Sequence, residues 1–421
     1  AFGILKKAAA QANLALGALD EERAVAIQQA ADEVISGKLQ DHFPLVIYQT
    51  GSGTQSNMNV NEVIANRANE ILGKKLVHPN DHVNKSQSSN DTFPTAMHIA
   101  AVQAVEDRLL PALDQLADTF ARLKKENTDI IKTGRTHLQD ATPLTLGQEI
   151  SGWSSSLRRD ERMIRGAMEG VRELALGGTA VGTGLNALPE FGEAVAAEIS
   201  ALTGKKFITA PNKFHALTSK DELVYLHGAF KALAADLMKI ANDVRLLASG
   251  PRCGIGELLI PENEPGSSIM PGKVNPVIPE VVSQVAFNII GNDVTVTMAA
   301  EAGQLELNAF EPIIFYNLIQ SVETLTYAVH TFVDNCVTGI TANRERCRDM
   351  VEHSVGIITA LCPHVGYEKA AEVAKRAIET GAPVRRLILE EGLLDEAALD
   401  KILDPYSMTE PGISGKELLE G

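Results

Sequence analysis

Residues 221–249 have the sequence DELVYLHGAFKALAADLMKIANDVRLLAS, and this stretch decides the fold. Apolar residues recur at alternating spacings of three and four, at Leu223, Leu226, Phe230, Leu233, Leu237, Ile240, Val244 and Leu247. This heptad pattern is typical of a helix that packs against other helices. At 1.5 Å per residue the helix would be about 43 Å long. An apolar seam of that length needs partner helices along its whole course.

Further long helices are predicted on both sides of this stretch. Apolar periodicity predicts helices over 95–126, 144–173, 279–302 and 313–336. The segment up to about Lys85 is expected to hold two amphipathic helices and a polar loop region, and shorter helices are expected after about Asn343. Together these patterns predict a mainly α protein built around an up-and-down bundle of long helices.

Composition and net charge favour a helical fold and argue against some classes of binding partner. The 421 residues are 45% hydrophobic and only 5% aromatic, which suits packed helices better than a β-sandwich. The formal net charge of −16 argues against nucleic acid or an anionic membrane as a partner. An anionic substrate would therefore have to be attracted by local cations.

Cysteine spacing and hydropathy bear on the compartment. The four cysteines show neither a Cys-x-x-Cys pair nor a zinc-ligand pattern, so we expect reduced thiols in a cytosol-like compartment and no metal site. The most apolar helical pattern, over 281–300, is interrupted by Asn288, Asn292 and Asp293, and no membrane span or signal peptide is predicted. The chain begins without Met inside a helical pattern, so we expect its first domain to be truncated.

The loop whose side chains are best suited to chemistry has the sequence Gly-Ser-Ser-Ile-Met-Pro-Gly-Lys-Val-Asn-Pro, at 266–276. Glycine and proline make it a turn-rich segment between long helices, and loops held by a rigid scaffold often carry function. Lys273 supplies a positive charge, Asn275 supplies amide donors, and Ser267 and Ser268 supply hydroxyls. Such a loop suits a small anion.

This loop resembles the Gly-Ser-Ser-x-Met-Pro-x-Lys-x-Asn signature of the fumarase/aspartase superfamily. The resemblance implies a lyase that needs no cofactor and acts on succinyl-type dicarboxylates. It implies three domains, at 1–87, 88–342 (with the signature loop at 266–275) and 343–421. It also implies a homotetramer in which four central bundles pack together and each active site draws on three subunits.

Two further polar clusters match the superfamily. Ser86-Gln-Ser-Ser-Asn-Asp91 has the short hydrogen-bonding side chains of a helix N-cap, and capping alone would explain it. By resemblance, Ser88, Ser89 and Asn90 bind substrate. The polar segment 51–57 lacks the last glycine of a dinucleotide fingerprint and is interpreted as a substrate-side loop in which Thr54 contributes a hydroxyl.

The other cluster is Gly-Arg-Thr-His-Leu-Gln-Asp at 134–140, between a glycine turn and a predicted helix. The resemblance implies that Thr136 binds substrate and that His137 is a catalytic group paired with Glu280. Glu280 could instead, or as well, stabilise the helix that begins near Pro279. By the same resemblance Ser267 is the catalytic base, acting as an alkoxide, while Lys273 and Asn275 hold the substrate.

Two further segments have sequence patterns that do not point to one function. His78, Asn80 and Asp81 resemble a secondary carboxylate site of fumarases, although Pro-Asn-Asp also suits a plain surface turn. The glycine-rich segment 177–184 is not followed by Gly-Lys-Ser/Thr, which excludes a phosphate-binding loop, and close packing is expected there.

Within the superfamily, the first two thirds of the chain look like class II fumarase, for example at 49–55, 77–81 and 210–214. The segments 277–282, 301–305 and 408–413 look like aspartase instead. We expect a hydratase of the tricarboxylic acid cycle that converts fumarate to L-malate by anti addition through an aci-carboxylate intermediate. Its location would be the cytoplasm, or the mitochondrial matrix in a eukaryote. The alternatives are an aspartate ammonia-lyase and a catalytically silent member, such as a lens-crystallin relative of argininosuccinate lyase.

Overall fold

The computed structural model describes residues 1–420, and helices dominate it. The prediction of a mainly α fold is confirmed. The helices are α1 Phe2–Ala15, α2 Glu21–Ile35, α3 Thr54–Leu72, α4 Ser89–Ala104, α5 Leu110–Glu126, α6 Leu146–Val171, α7 Phe191–Thr203, α8 Lys213–Thr218, α9 Asp221–Leu247, α10 Val277–Glu301, α11 Glu311–Asn335, α12 Arg344–His353, α13 Cys362–Val365, α14 Tyr367–Thr380, α15 Val384–Glu390 and α16 Glu396–Ile402.

Short strands form three two-stranded sheets. They are β1 Ile131–Thr136, β2 Gln139–Thr145, β3 Glu173–Leu174, β4 Ile208–Thr209, β5 Leu258–Leu259 and β6 Thr341–Ala342. Strands β1 and β2 pair antiparallel, β3 and β4 pair parallel, and β5 and β6 pair antiparallel. Only the first pair is long enough to shape a site.

The heptad seam on α9 lies in the core as predicted. All eight of its apolar side chains are at most 5% exposed. The observed helices α6, α10 and α11 begin and end within two residues of the predicted ranges. The range 95–126 differs, because α4 begins earlier, at Ser89, and a π-helical turn at Val105–Leu109 separates it from α5.

Two regions differ from the sequence-based expectation. The N-terminal segment holds three helices instead of two, because 54–72 is helical, and the stretches on either side of this helix remain loops with short helical turns. The buried face of α3 includes Asn57 and Asn61, so apolar periodicity alone does not reveal it. The cluster at 134–140 lies at the tip of the β1–β2 hairpin rather than between a turn and a helix.

The chain divides into two compact units. Unit 1 comprises 1–113, 159–235 and 284–328, and unit 2 comprises 114–158, 236–283 and 329–421. Unit 1 contains an apolar core formed by α1, α2 and α3 together with Val77 and Val83. Unit 2 contains an apolar core formed mainly by the C-terminal helices between Val351 and Ile402. The three-domain layout at 1–87, 88–342 and 343–421 stays a prediction.

Candidate active site

In unit 1, the predicted site residues meet where two helices begin. Thr54 is the first residue of α3, and Ser89 is the first residue of α4. Their hydroxyl oxygens lie 3.0 Å apart, and Ser52 Oγ lies 3.0 Å from Thr54 Oγ1. Helix N-termini carry partial positive charge and free N–H groups, so this cluster of hydroxyls can hold a carboxylate.

Ser88 caps α4, which fixes the position of its neighbours. Its Oγ accepts a hydrogen bond from the backbone N–H of Asn90, and its own N–H donates to Asp91 Oδ1 at 2.9 Å. This is a capping box, with Asp91 as the acidic partner. The capping and substrate-binding interpretations of Ser88 are compatible, because the cap holds Ser89 and Asn90 in place.

Asp91 also ties the glycine-rich segment to this cluster. Its Oδ2 accepts hydrogen bonds from the N–H groups of Gly177, at 3.1 Å, and Thr179, at 2.8 Å. The Asn90 side chain donates to the carbonyl of Ala180 at 2.8 Å. The segment 177–184 is therefore hydrogen-bonded to the start of α4, where the predicted substrate-binding residues Ser89 and Asn90 lie.

Burial perturbs two charged groups beneath the same cluster. It raises the pKa of Asp91 to about 7, against the hydrogen bonds donated by Ser88, Thr179 and Gly177. Burial also lowers the pKa of Lys6 to about 7. Lys6 Nζ donates to the amide oxygens of Asn57, Asn84 and Gln87 at 2.7, 3.1 and 2.9 Å. Lys6 thereby ties the first turn of α3, at Asn57, to the segment that precedes α4.

In unit 2, His137 lies at the tip of the β1–β2 hairpin. Thr136 pairs with Gln139, so His137 and Leu138 form a two-residue turn. Both turn residues have positive φ, 55° and 61°. That conformation normally favours Asn and Gly, so the turn presents an exposed imidazole at a cost in backbone strain.

Glu280 lies in the first turn of α10, where a carboxylate stabilises the helix dipole. It forms an ion pair with Arg245 at 3.6 Å. The resemblance to the superfamily assigns it a second partner, His137. The predicted pairing of the two groups stays a prediction for the assembled protein.

The signature loop is an exposed, closed turn. Gly266 and Pro271 form a β-bridge, and a Cβ atom on Gly266 would lie 2.3 Å from the carbonyl oxygen of Lys273. Ser267 Oγ accepts hydrogen bonds from the N–H groups of Ile269 and Met270, both at 3.3 Å. Two N–H donors aimed at one oxygen favour negative charge there.

The two predicted substrate-binding side chains of this loop, Asn275 and Lys273, have different surroundings. Asn275 Nδ2 donates to Glu264 Oε1 at 3.3 Å, which fixes the amide. Lys273 is exposed, so its ammonium group is free to reach a substrate. The structure thus gathers Ser267, Lys273 and Asn275 on one loop, as the sequence predicts.

The third group of predicted residues forms a turn on unit 1. His78 Nδ1 accepts hydrogen bonds from the N–H groups of Asn80, at 3.3 Å, and Asp81, at 3.2 Å. Asp81 Oδ2 lies 3.3 Å from the same nitrogen. This geometry fits a plain turn and leaves the secondary carboxylate site a prediction.

Sequence reasoning missed several charged residues behind the site. Asp91 was recognisable as the acidic member of a Ser-x-x-Asp capping box. Lys6, Lys132, Arg135 and Glu257 carry no such local signal, because their partners lie far away along the chain.

Residues 1–420 contain neither a metal-binding cluster nor a membrane-spanning helix. Among them, no group of three or more His, Cys, Asp or Glu side chains is arranged to hold a metal ion. No helix in this range combines the length and the apolar character needed to cross a membrane.

Comparison with known proteins places the chain in a family. A family profile described as "Lyase" matches residues 1–291, and one described as "Fumarase C C-terminus" matches residues 357–410. A Bacillus cereus protein named fumarate hydratase class II is 60% identical over 415 residues, which is 98% of this chain and 90% of the relative.

Solved structures agree with the sequence matches. A class II fumarase from Schistosoma mansoni has a TM-score of 0.95 and 42% identity, over 97% of this chain and 90% of that one. A Brucella melitensis protein described as fumarate lyase:delta crystallin, bound to cobalt, has a TM-score of 0.94 and 47% identity, with the same coverage.

The aspartate ammonia-lyase alternative is not favoured, and the prediction of a carbon–oxygen lyase is confirmed. The chain belongs to the class II fumarate hydratase family.

Proposed function

We propose that this protein reversibly hydrates fumarate to L-malate as an enzyme of the tricarboxylic acid cycle. The observation that carries the proposal is the 60% identity to a class II fumarate hydratase over nearly the whole chain. The hydroxyl cluster formed by Thr54, Ser88 and Ser89 at two helix N-termini supports it, because it suits a dicarboxylate.

In the dehydration direction, Ser267 is the base that removes a proton from Cβ of malate. Two backbone N–H groups donate hydrogen bonds to Ser267 Oγ and stabilise the alkoxide form of this side chain. Loss of the proton places a second negative charge on the adjacent carboxylate, giving the aci-carboxylate. Lys273 and Asn275 stabilise that charge in the transition state.

The hydroxyl group then leaves as water from the neighbouring carbon. His137, with Thr54, Ser88 and Asn90, holds a water molecule that protonates the leaving hydroxyl. Thr136 and Ser89 bind the substrate. Glu280 stabilises the positive imidazole and fixes its tautomer when the two groups meet in the assembly. In the hydration direction, addition of the hydroxyl group on one face and of the proton on the other gives the anti stereochemistry.

The active enzyme is a homotetramer with active sites shared between subunits. Phe287, Val294 and Met298 lie seven and four residues apart on one face of α10, and they are 61%, 57% and 60% exposed. An apolar stripe of that kind on a long helix is typical of a surface that another subunit covers.

Two finer points belong to the same proposal. The turn with His78, Asn80 and Asp81 is a secondary carboxylate site. The protein works in the cytoplasm, or in the mitochondrial matrix if its source is a eukaryote, because its four cysteines are free thiols and two of them are buried.

The test is a parallel assay of the purified protein with fumarate, with and without ammonia, followed by the loss of fumarate absorbance and by product identification. We expect malate in both reactions and no aspartate. Aspartate formed only with ammonia would favour the ammonia-lyase alternative. No turnover in either reaction would favour the catalytically silent alternative.

A further inference from the structure

We propose that Glu257 is a positioning residue that holds the His137 hairpin in its productive geometry through Lys132 and Arg135. This inference rests on the proposed function, because it assigns Glu257 a role that acts through His137. All four residues belong to unit 2, and no sequence motif connects them.

The β1–β2 hairpin is irregular next to its tip. The register shifts between Thr133 and Arg135, where the single β1 residue Gly134 lies opposite two β2 residues, Ala141 and Thr142, so the β-bulge belongs to β2. Residues three apart on a regular strand point to opposite faces. Lys132 and Arg135 nevertheless both reach the carboxylate of Glu257 beside this bulge. Gly134 fits there because a Cβ atom would lie 2.4 Å from the carbonyl oxygen of Thr142.

Both cations converge on a single buried carboxylate. Arg135 Nη2 donates to Glu257 Oε1 at 2.8 Å, and Lys132 Nζ lies 3.1 Å from Glu257 Oε2. The side chains of Lys132 and Glu257 are 1% and 0% exposed. Glu149 pairs with Lys132 at 3.0 Å and brings the four-residue group to charge balance. Breaking a buried pair of this kind leaves an uncompensated charge.

The backbone of Glu257 is itself anchored. Its N–H donates to the carbonyl of Leu247 at 2.9 Å, and its carbonyl accepts from the N–H of Asn343 at 2.8 Å. Leu247 is the last residue of α9, and Asn343 caps α12. The position of Glu257 is therefore fixed by α9 and α12, and its carboxylate in turn holds the hairpin.

The hairpin needs such support because its tip is strained. His137 and Leu138 both adopt positive φ, and residues in that conformation persist only where the surroundings determine them. Arg135 lies two residues before His137 on the strand that ends at Thr136. Without the Glu257 carboxylate, Lys132 and Arg135 would repel each other, and the strand that leads to the tip would lose this anchor.

The test compares Glu257→Gln with wild type, alone and in a His137→Asn background. We expect kcat to fall by about 10-fold or more, because His137 is misplaced, and KM to rise as well, because Thr136 on the same hairpin binds substrate. In the His137→Asn background, Glu257→Gln should lower kcat by less than about 2-fold, because there is no imidazole left to position.

Glu106→Gln is the matched control. The Glu106 carboxylate also binds an arginine and a lysine, Arg172 and Lys205, and lies in unit 1. We expect this variant to lose thermal stability and keep the wild-type kcat. A merely structural role for Glu257 would give the same pattern in Glu257→Gln.

Two outcomes would overturn the inference. One is a wild-type kcat for Glu257→Gln, and the other is an equal loss of kcat with and without His137. If Glu257→Gln does not fold, Arg135→Lys replaces it, because it keeps the charge and loses the planar fork. The same kcat loss and the same dependence on His137 are then required. Failure of the proposed function shows separately, as absent hydratase activity in the wild type.

Discussion

The two groups of site residues are held in opposite ways. In unit 1, the residues at the starts of α3 and α4 are fixed by a capping box and by Asp91, which is buried and accepts three backbone N–H groups. In unit 2, His137 is at an exposed, strained turn, and Ser267 and Lys273 lie on an exposed loop. Rigid helix ends suit recognition of a fixed charge, whereas exposed tips can adjust when substrate arrives.

Under the proposed function, this contrast gives the two groups different main tasks. The helix ends would chiefly bind the substrate through a carboxylate. The loop and the hairpin would carry the serine base and the histidine that act on its protons. Changes in the first group should therefore affect binding, and changes in the second should affect turnover.

Ser267→Ala should produce the largest effect on turnover. Without its base the enzyme should lose about 10³-fold or more in kcat. It should still bind fumarate, because Lys273 and Asn275 remain, whereas Lys273→Ala should weaken both binding and rate. Calorimetric titration and initial rates separate the two variants. The matched control is Ser268→Ala, the neighbouring hydroxyl, which should stay near wild type. Near-normal turnover of Ser267→Ala would make His137 the leading candidate for the base.

The loop that carries Ser267 should also change state. An alkoxide needs shelter from bulk water, and Ile269 beside it is 83% exposed. We expect the loop to close over a bound dicarboxylate, and hydrogen exchange of 266–275 should slow when fumarate or malate is added. Unchanged exchange at saturating ligand would contradict closure.

His137→Asn should have the next largest effect, a loss of about 10²-fold in kcat, in the range of general acid–base catalysis. Glu280→Gln should lose less, because the imidazole remains and only its stabilising carboxylate is gone. Steady-state rates across pH measure both. Wild-type rates in both variants would remove the pair from the mechanism.

Thr54→Val should have a smaller effect and should sharpen the contrast between the groups. It removes the hydroxyl that contacts Ser89 at 3.0 Å and keeps the shape of the side chain. We expect KM to rise by about 10-fold and kcat to fall less, because one hydrogen bond to a charged group is lost. A larger fall in kcat than rise in KM would contradict the division of tasks.

Asp91→Asn should have the smallest effect on turnover, and its main effect should be on the pH dependence of stability. Asp91 has a pKa of about 7 in the folded protein, against an ordinary value of 3.8. Between these values the folded state binds more protons than the unfolded state, so this group's contribution to the free energy of unfolding falls as pH rises. The stability of wild type relative to Asp91→Asn should therefore decrease from pH 4 to pH 7. Thermal melts across this window measure the difference, and a constant difference would contradict the raised pKa.

The sequence predicts the long helices well, because their periodicity directly reflects burial. The seam from Leu223 to Leu247 is buried throughout. The start of α4 was also predictable, since Ser88 and Asp91 have the spacing of a capping box. These features depend on residues within a few positions of each other.

Other features depend on contacts that are distant in sequence. The β1–β2 hairpin was missed because its turn holds His137 and Leu138 instead of the Asn-Gly that normally signals such a turn. Helix α3 was missed because Asn57 and Asn61 occupy its buried face. Glu257 meets Arg135 across 122 residues of chain, so no local pattern could connect them.

Under the proposed function, the chemical groups on the hairpin and on the signature loop act in one active site drawn from different subunits. Mixing inactive His137→Asn and Ser267→Ala proteins under conditions of subunit exchange tests this claim most directly. Random reassembly should restore hydratase activity in about one quarter of the sites, because each site then needs an intact His137 from one chain and an intact Ser267 from another. No recovery after proven exchange, or a monomer by light scattering at working concentration, would contradict the account.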